Sequence, residues 1–351
     1  RGPIRFDREG AVERSILDAY REYGFYVFED VLEKEELEDL RSDLDRVFER
    51  APVTKGATVD SEGRPALGSD LEQPVYRFAR PLSDPVGGTS ANNGRHPAKM
   101  AEPEPPPDAP DYVISSIGSP LHVMDAALRL YGHPLLLRIA EQINGPDFTP
   151  FTESVILKVR GLGTSVAWHQ DGTTLWDRPD WDEESHGFNF MAQLYGSTAE
   201  NGVWVVPGSH KLGKIDIRAR VAESGSDRLP DAVPMVCGAG GIVMANRQTL
   251  HGSFANTSKD RRMTINFGFH QRSSVLGVRR KTGEGEVVYD TDRIAERSRL
   301  ISLAIDARSQ RFPQEERYTY QPLAGREDEN RWSEETRETI LKNYNLRDLG
   351  L

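Results

Sequence analysis

KDRRMTINFGFH, residues Lys259–His270, alternates apolar and polar from its two arginines onward. Successive side chains of a strand point to opposite faces, so Arg261, Met263, Ile265 and Phe267 share one side, and Arg262, Thr264, Asn266 and Gly268 the other. The apolar side should pack against helices and the polar side should face a cavity. FNFMAQLYG, Phe188–Gly196, repeats the pattern, with Phe188, Phe190, Ala192 and Leu194 toward a core. Asn189, Met191, Gln193 and Tyr195 are left to face the cavity. From Thr152 onward further β-rich runs, SVILKVRG, GVWVVPGSH and GGIVMAN, are broken by Gly, Pro and Asn. Several short strands at this spacing predict an antiparallel sandwich or barrel, mainly β with flanking helices.

Working outward, Leu37, Leu40, Leu44, Val47 and Phe48 recur at three- and four-residue steps and predict an amphipathic helix over Lys34–Arg50. A weaker helical pattern over Glu9–Glu22 and a short strand over Gly24–Phe28 precede it. Between Pro52 and Pro120 the periodicity fails, and AEPEPPPDAP and GGTSANNG mark an irregular insertion. Such a loop is either a solvated excursion or a lid or wall over a pocket. Beyond Gly277 the pattern turns polar, with helices expected near Asp292–Arg308 and Ser333–Asn343. With neither repeat nor clean linker, residues 1–351 read as one domain. Its parts are a helix–strand–helix opening (1–51), the insertion (52–120), a β core (134–276) and a mostly helical extension (277–351).

The 351 residues can bury a substantial core. With 55 acidic against 44 basic residues, the formal charge of −11 argues against nucleic acid or an anionic membrane as the main partner and favours small molecules. Cys237 is the single cysteine, so no intrachain disulfide forms; its setting, VPMVCGAGG, reads as a buried, inert thiol. No apolar run of about eighteen residues occurs, and no apolar segment precedes a cleavage site near residue 1. The expectation is a soluble, cytoplasmic protein, its oligomeric state left open.

AWHQDGTTLWD, Ala167–Asp177, places His169 and Asp171 at i and i+2 after a strand, on one face. His251 follows another strand, GGIVMAN, and a sandwich can bring the two together. Two imidazoles and one carboxylate on one face of an octahedron leave three positions open, the arrangement of non-haem Fe(II) oxygenases. A lone H-x-D is weak evidence; Arg262, eleven residues beyond His251, adds to it. A guanidinium facing a cavity needs a carboxylate, and its planar fork suits bidentate binding, which the far carboxylate of 2-oxoglutarate would supply; the other reading of the strand makes Arg262 a surface residue beside Arg261.

In chain order, H-Q-D, N-G-V-W-V-V-P-G-S-H-K, H-G-S and N-T-S followed by R-R resemble the phytanoyl-CoA dioxygenase family of Fe(II)/2-oxoglutarate oxygenases. The resemblance covers the opening and the region from about Pro134 to His270. It implies a double-stranded β-helix, the cupin-like jelly roll. It implies His169, Asp171 and His251 as iron ligands, Arg262 and Ser253 on the C5 carboxylate of 2-oxoglutarate, and Gln170 near the cosubstrate. Met191 and Lys158 are added as pocket lining. An aspartate at position 171, where related halogenases carry Gly or Ala, favours hydroxylation or a related oxidation by O2, with release of succinate and CO2. Family members often carry Gly-Asp where this chain has Gly240-Gly241. His186, His210 and His270 read as structural or surface residues, and Trp168 as core. The rival readings are a cupin-type metalloenzyme without 2-oxoglutarate, which needs no arginine clamp, and an inactive binding relative.

Overall fold

Gly24 ends the first helix, Arg14–Tyr23, in the left-handed conformation at φ 82°. A β-carbon there would stand 2.4 Å from Thr249 Oγ1 and 2.6 Å from His210 Nδ1, so only glycine lets the opening dock on the β core. The computed structural model describes residues 1–351 except 72–73, 152, 172–186, 283–284, 343 and 345–351. The expected helices lie at Lys34–Glu49, Thr291–Arg311 and Glu334–Leu341, and the opening strand at Phe25–Phe28.

The β core is two antiparallel sheets. Among the described residues the larger runs, in spatial order, Phe25–Phe28, Ile242–Asn246, Phe188–Gln193, Arg262–His270, Ser154–Lys158, Val113–Gly118, Tyr76–Ala79. Thr149–Pro150 adds to one end of the Arg262–His270 strand. The smaller sheet runs Val166–His169, His251–Ser253, Trp204–Val205, Val233–Pro234. Sequence neighbours are seldom sheet neighbours here, as expected of a jelly roll.

The alternation in Lys259–His270 is realised as read. Met263, Ile265, Phe267 and Phe269 join Phe188, Phe190, Ala192 and Leu194 in the main core, against Leu40 and Leu44 of one helix and Leu300, Ile301 and Leu303 of another. Burying each large apolar side chain contributes about 1.5 to 3 kcal/mol. This packing anchors the larger sheet from outside and leaves its inner face free for polar residues.

The stretch 52–120 is not loop throughout. Tyr76–Ala79 and Val113–Gly118 pair with each other, and Val113–Gly118 pairs with Ser154–Lys158, extending the larger sheet at its edge. Both strands are short and the first pairing has a register shift after Arg77, so neither left a clean period in the sequence. No described helix is long and apolar enough to cross a membrane.

Candidate metal centre

His169 closes one strand of the smaller sheet, His251 opens its neighbour, and the two are direct partners in the antiparallel register. Their ring centroids are 4.1 Å apart. Asp171, two residues on, places Oδ1 3.6 Å from His169 Nε2 and Oδ2 3.9 Å from His251 Nε2. One ligand atom from each residue lies within 4.8 Å of the others, and all three residues are buried. His169 Nδ1 sits 2.8 Å from Ala167 O, and His251 Nδ1 2.8 Å from Thr249 O. A carbonyl only accepts, so each Nδ1 carries the proton and each Nε2 keeps a lone pair for a metal. Asp171 Oδ1 is buried without accepting a hydrogen bond, although the Arg95 guanidinium is 2.9 Å away. A compact N, N, O donor set with an unused carboxylate lone pair fits Fe(II).

The carboxylate is held by neighbours on the larger sheet. Asn189 Nδ2 donates to Asp171 Oδ2 at 3.1 Å. Asn189 lies opposite Gly268 in the register, and a β-carbon at Gly268 would stand 2.5 Å from Asn189 Oδ1. The glycine thus leaves room for the amide. Burial works to raise the Asp171 pKa, but the Arg95 cation holds it well below the usual carboxylate range.

The triad opens onto a cavity of about 660 Å³ walled by both sheets, and Arg262, Thr264, Asn266, Ser253 and Met191 line it. Arg262 is 2% exposed; Nη1 donates to Asn201 O at 2.9 Å, while Nε has no hydrogen-bond partner. Burial pushes its pKa down to about 10, still charged at neutral pH. A desolvated cation with an unused donor on a cavity wall suits an anionic ligand.

Two expected pocket residues are placed elsewhere. Lys158, fully buried, donates to Thr164 O, Phe254 O (2.6 Å) and Ser253 O (3.4 Å). Three donors meeting three carbonyls tie the sheets together and leave nothing for the cavity, which Lys158 does not line. Gln170, between two ligands on the strand's path, turns to the opposite side. Its amide donates to Gly213 O (3.0 Å) and Gln248 O (2.7 Å) and accepts from Ile215 N (3.0 Å), fastening loops behind the site. Tyr195 also leaves the cavity, because the strand ends at Gln193; its ring takes the Arg261 guanidinium at 3.8 Å and that of Arg41 at 4.8 Å.

The sequence profile of phytanoyl-CoA dioxygenase matches residues 20–264, most of the chain. The chain belongs to the phytanoyl-CoA dioxygenase family. It is 24% identical to phytanoyl-CoA dioxygenase domain-containing protein 1 of Bos taurus, over 75% of this chain and 91% of the relative. Among solved structures, EctD from S. alaskensis, crystallised with 2-oxoglutarate and 5-hydroxyectoine, shares the fold at a TM-score of 0.51 and 17% identity, over 78% of this chain and 81% of EctD. EvdMO1 does so at 0.50 and 20%, over 73% of this chain; the chain spans about half of EvdMO1 (49%).

Within this family fold, the 52–120 stretch contributes two site residues that sequence reading did not single out. Asp84 accepts from Gly87 N (2.8 Å) and Met100 N (2.8 Å), and Gly88 N donates to His96 O (2.8 Å), closing a loop whose far side carries Arg95 and His96. The His96 ring lies 4.3 Å from that of His169, and Arg95 reaches Asp171. Burial, then the Arg95 charge, pushes His96 down to about 3, so it is neutral. Residues in GGTSANNGRHP have no period, and only folding reveals their direction.

The remaining readings are structural. Trp168 packs with Leu250 and Phe254 and donates to Asp227 O at 2.6 Å. Cys237 is buried, and burial raises its pKa. His210 is buried with Nε2 3.1 Å from Arg21 O, and His270 lies against Phe151 with Nε2 3.3 Å from Arg247 Nη1. His186 lies outside the described residues. At Gly240-Gly241 the turn is tight: Gly240 has φ 81°, and a β-carbon there would be 2.8 Å from Leu32 O. A second cavity of about 470 Å³ lies around the Glu36–Arg308–Glu315 ion pairs, and the triad takes no part in its lining.

Proposed function

We propose that the protein is an Fe(II)/2-oxoglutarate-dependent oxygenase that hydroxylates an unactivated C–H bond of a small molecule. The observation that carries this reading is one cavity lined by both the His169/Asp171/His251 cluster and the buried Arg262, with its unused Nε donor. A cupin enzyme without a dicarboxylate cosubstrate has no need of that cation. His169, Asp171 and His251 would hold the iron, and Arg262 with Ser253 would receive the C5 carboxylate of 2-oxoglutarate. Bound iron supplies the redox chemistry: 2-oxoglutarate and O2 become succinate and CO2, and one oxygen atom enters the substrate C–H bond. The chain's own contribution is placement. The carbonyls behind each histidine fix its tautomer, Asn189 orients Asp171, and the irregular part of the 52–120 stretch would form the wall, and on substrate binding the lid, that keeps water from the site. Asp171 would supply the ligand that a related halogenase lacks, which favours hydroxylation.

The test is spectroscopic. Anaerobic Fe(II) plus 2-oxoglutarate should give a visible metal-to-ligand charge-transfer band in folded protein. Its absence from protein shown to contain iron removes the cosubstrate assignment. Screening small molecules for iron-dependent succinate formation then identifies the prime substrate.

A further inference from the structure

Arg95 comes from the loop Asp84–Met100, and its side chain is 6% exposed, within the cavity. It contacts Asp171 Oδ1, the same oxygen that lies nearest His169 Nε2, and its own Nε is buried without a hydrogen-bond partner. A metal at the triad would draw on that same carboxylate and weaken its hold on the guanidinium. On the reading of the site given above, iron, Asp171, the 2-oxoglutarate dianion and Arg262 balance one another in charge. Arg95 is then surplus: a buried cation beside a second cation, with its former partner drawn to the metal. Glu153, the other buried carboxylate on the cavity wall, has interactions of its own. A guanidinium in this position requires a further anion.

The rest of the cavity wall indicates what else that anion carries. Ser90, Asn92, Ser116 and Ser119 line the same cavity as Arg95, beside apolar side chains such as Ile156 and Val203. Short hydroxyl and amide groups match a hydroxylated molecule, and a long alkyl chain laid against them would desolvate polar groups without replacing their hydrogen bonds.

We propose that Arg95 is the substrate-anion anchor of this enzyme, and that the prime substrate is a small hydroxylated molecule bearing a carboxylate or a similar anionic group. Loading the metal releases Arg95 from Asp171, and the substrate's anion takes the guanidinium in its place.

This inference rests on the oxygenase reading, and the experiment separates the two. Protein loaded with Mn(II), which is redox-inert here, and with 2-oxoglutarate is titrated calorimetrically with methyl glucuronide and with methyl glucoside. The two probes share their hydroxyls and differ in one carboxylate. The glucuronide should bind about tenfold tighter or more, the worth of a charge-assisted hydrogen bond. Arg95→Gln should abolish that difference while leaving 2-oxoglutarate affinity in place, and Arg95→Lys should restore part of it. Equal binding of the two probes, binding of neither, or a preference that survives Arg95→Gln overturns the proposal. So does a large loss of Mn(II) affinity in Arg95→Gln with the probe preference intact, which makes Arg95 a positioning residue for Asp171. Failure of the wild-type protein to take up Mn(II) or 2-oxoglutarate refutes the oxygenase reading instead.

Discussion

Replacing Arg262 by alanine separates the 2-oxoglutarate reading from other uses of the same fold. In the bound state the variant leaves the C5 carboxylate in a buried site without its bidentate partner, a loss of about 2 to 5 kcal/mol for truncating one side of a buried charge pair. Ser253 lines the same cavity and would still serve the carboxylate, so the lower end of that range applies, a weakening of at least tens-fold. The ligand-free protein behaves differently. There Arg262 is a desolvated cation with one carbonyl partner, Asn201 O, and no carboxylate, so its removal should cost little thermal stability. The assay is an anaerobic titration of the charge-transfer band with 2-oxoglutarate, paired with melting curves with and without cosubstrate. Arg262→Ala should need far more 2-oxoglutarate and lose the cosubstrate-induced rise in Tm, with metal binding nearly unchanged. Arg262→Lys should recover part of the affinity, because a point charge does not reproduce the fork. Arg261→Ala, whose side chain stacks on Tyr195 away from the cavity, is the control. If Arg261→Ala weakens 2-oxoglutarate and Arg262→Ala does not, the assignment of faces along this strand is wrong. If neither matters, the cosubstrate is not held here.

Asn189→Ala removes the hydrogen bond that orients Asp171, and metal affinity by calorimetry should fall about 10- to 100-fold, as for other groups that hold a metal ligand. Gly24→Ala forces a β-carbon into the left-handed region and against Thr249 and His210; it should destabilise the fold by at least 1 kcal/mol, and an unchanged denaturant midpoint would count against the docking role. Buried Asp60 accepts from Glu62 N, Arg64 N and the Arg50 and Arg64 guanidinium groups. Burial opposes its ionisation, but these bonds, those from Arg64 foremost, lower its pKa to about 2. Because the folded value lies below the unfolded one, its stabilisation is complete above the ordinary Asp range and fades as pH falls through about 2. The Tm gap between wild type and Asp60→Asn should therefore be widest near neutrality and close toward that pH; a gap independent of pH would show that the charge is not what matters.

The core strands from Ser154 onward, their inward and outward faces and the His169/Asp171 pair were legible in the sequence because each depends on local periodicity. The two-residue repeat of Lys259–His270 assigns Arg262 to the cavity face and Met263 to the core before any partner strand is known, and H-x-D on a strand puts both groups on one side. That His251 belongs with them came from motif order; the pairing that sets its ring against that of His169 is a contact between segments about eighty residues apart. Where period is absent, direction depends on tertiary contacts. Lys158 and Gln170 sat at promising positions, yet their long side chains were claimed by backbone carbonyls from distant loops, since a buried donor must find an acceptor wherever the fold supplies one. Arg95 and His96 lie in a segment without pattern, and only the Asp84 clamp and the packing of that loop over the smaller sheet turn them onto the triad. Local sequence thus determined the strands and the donors they carry, and the tertiary structure decided which polar side chains remain free to face the cavity, because hydrogen-bond satisfaction in a buried site is settled by the whole fold.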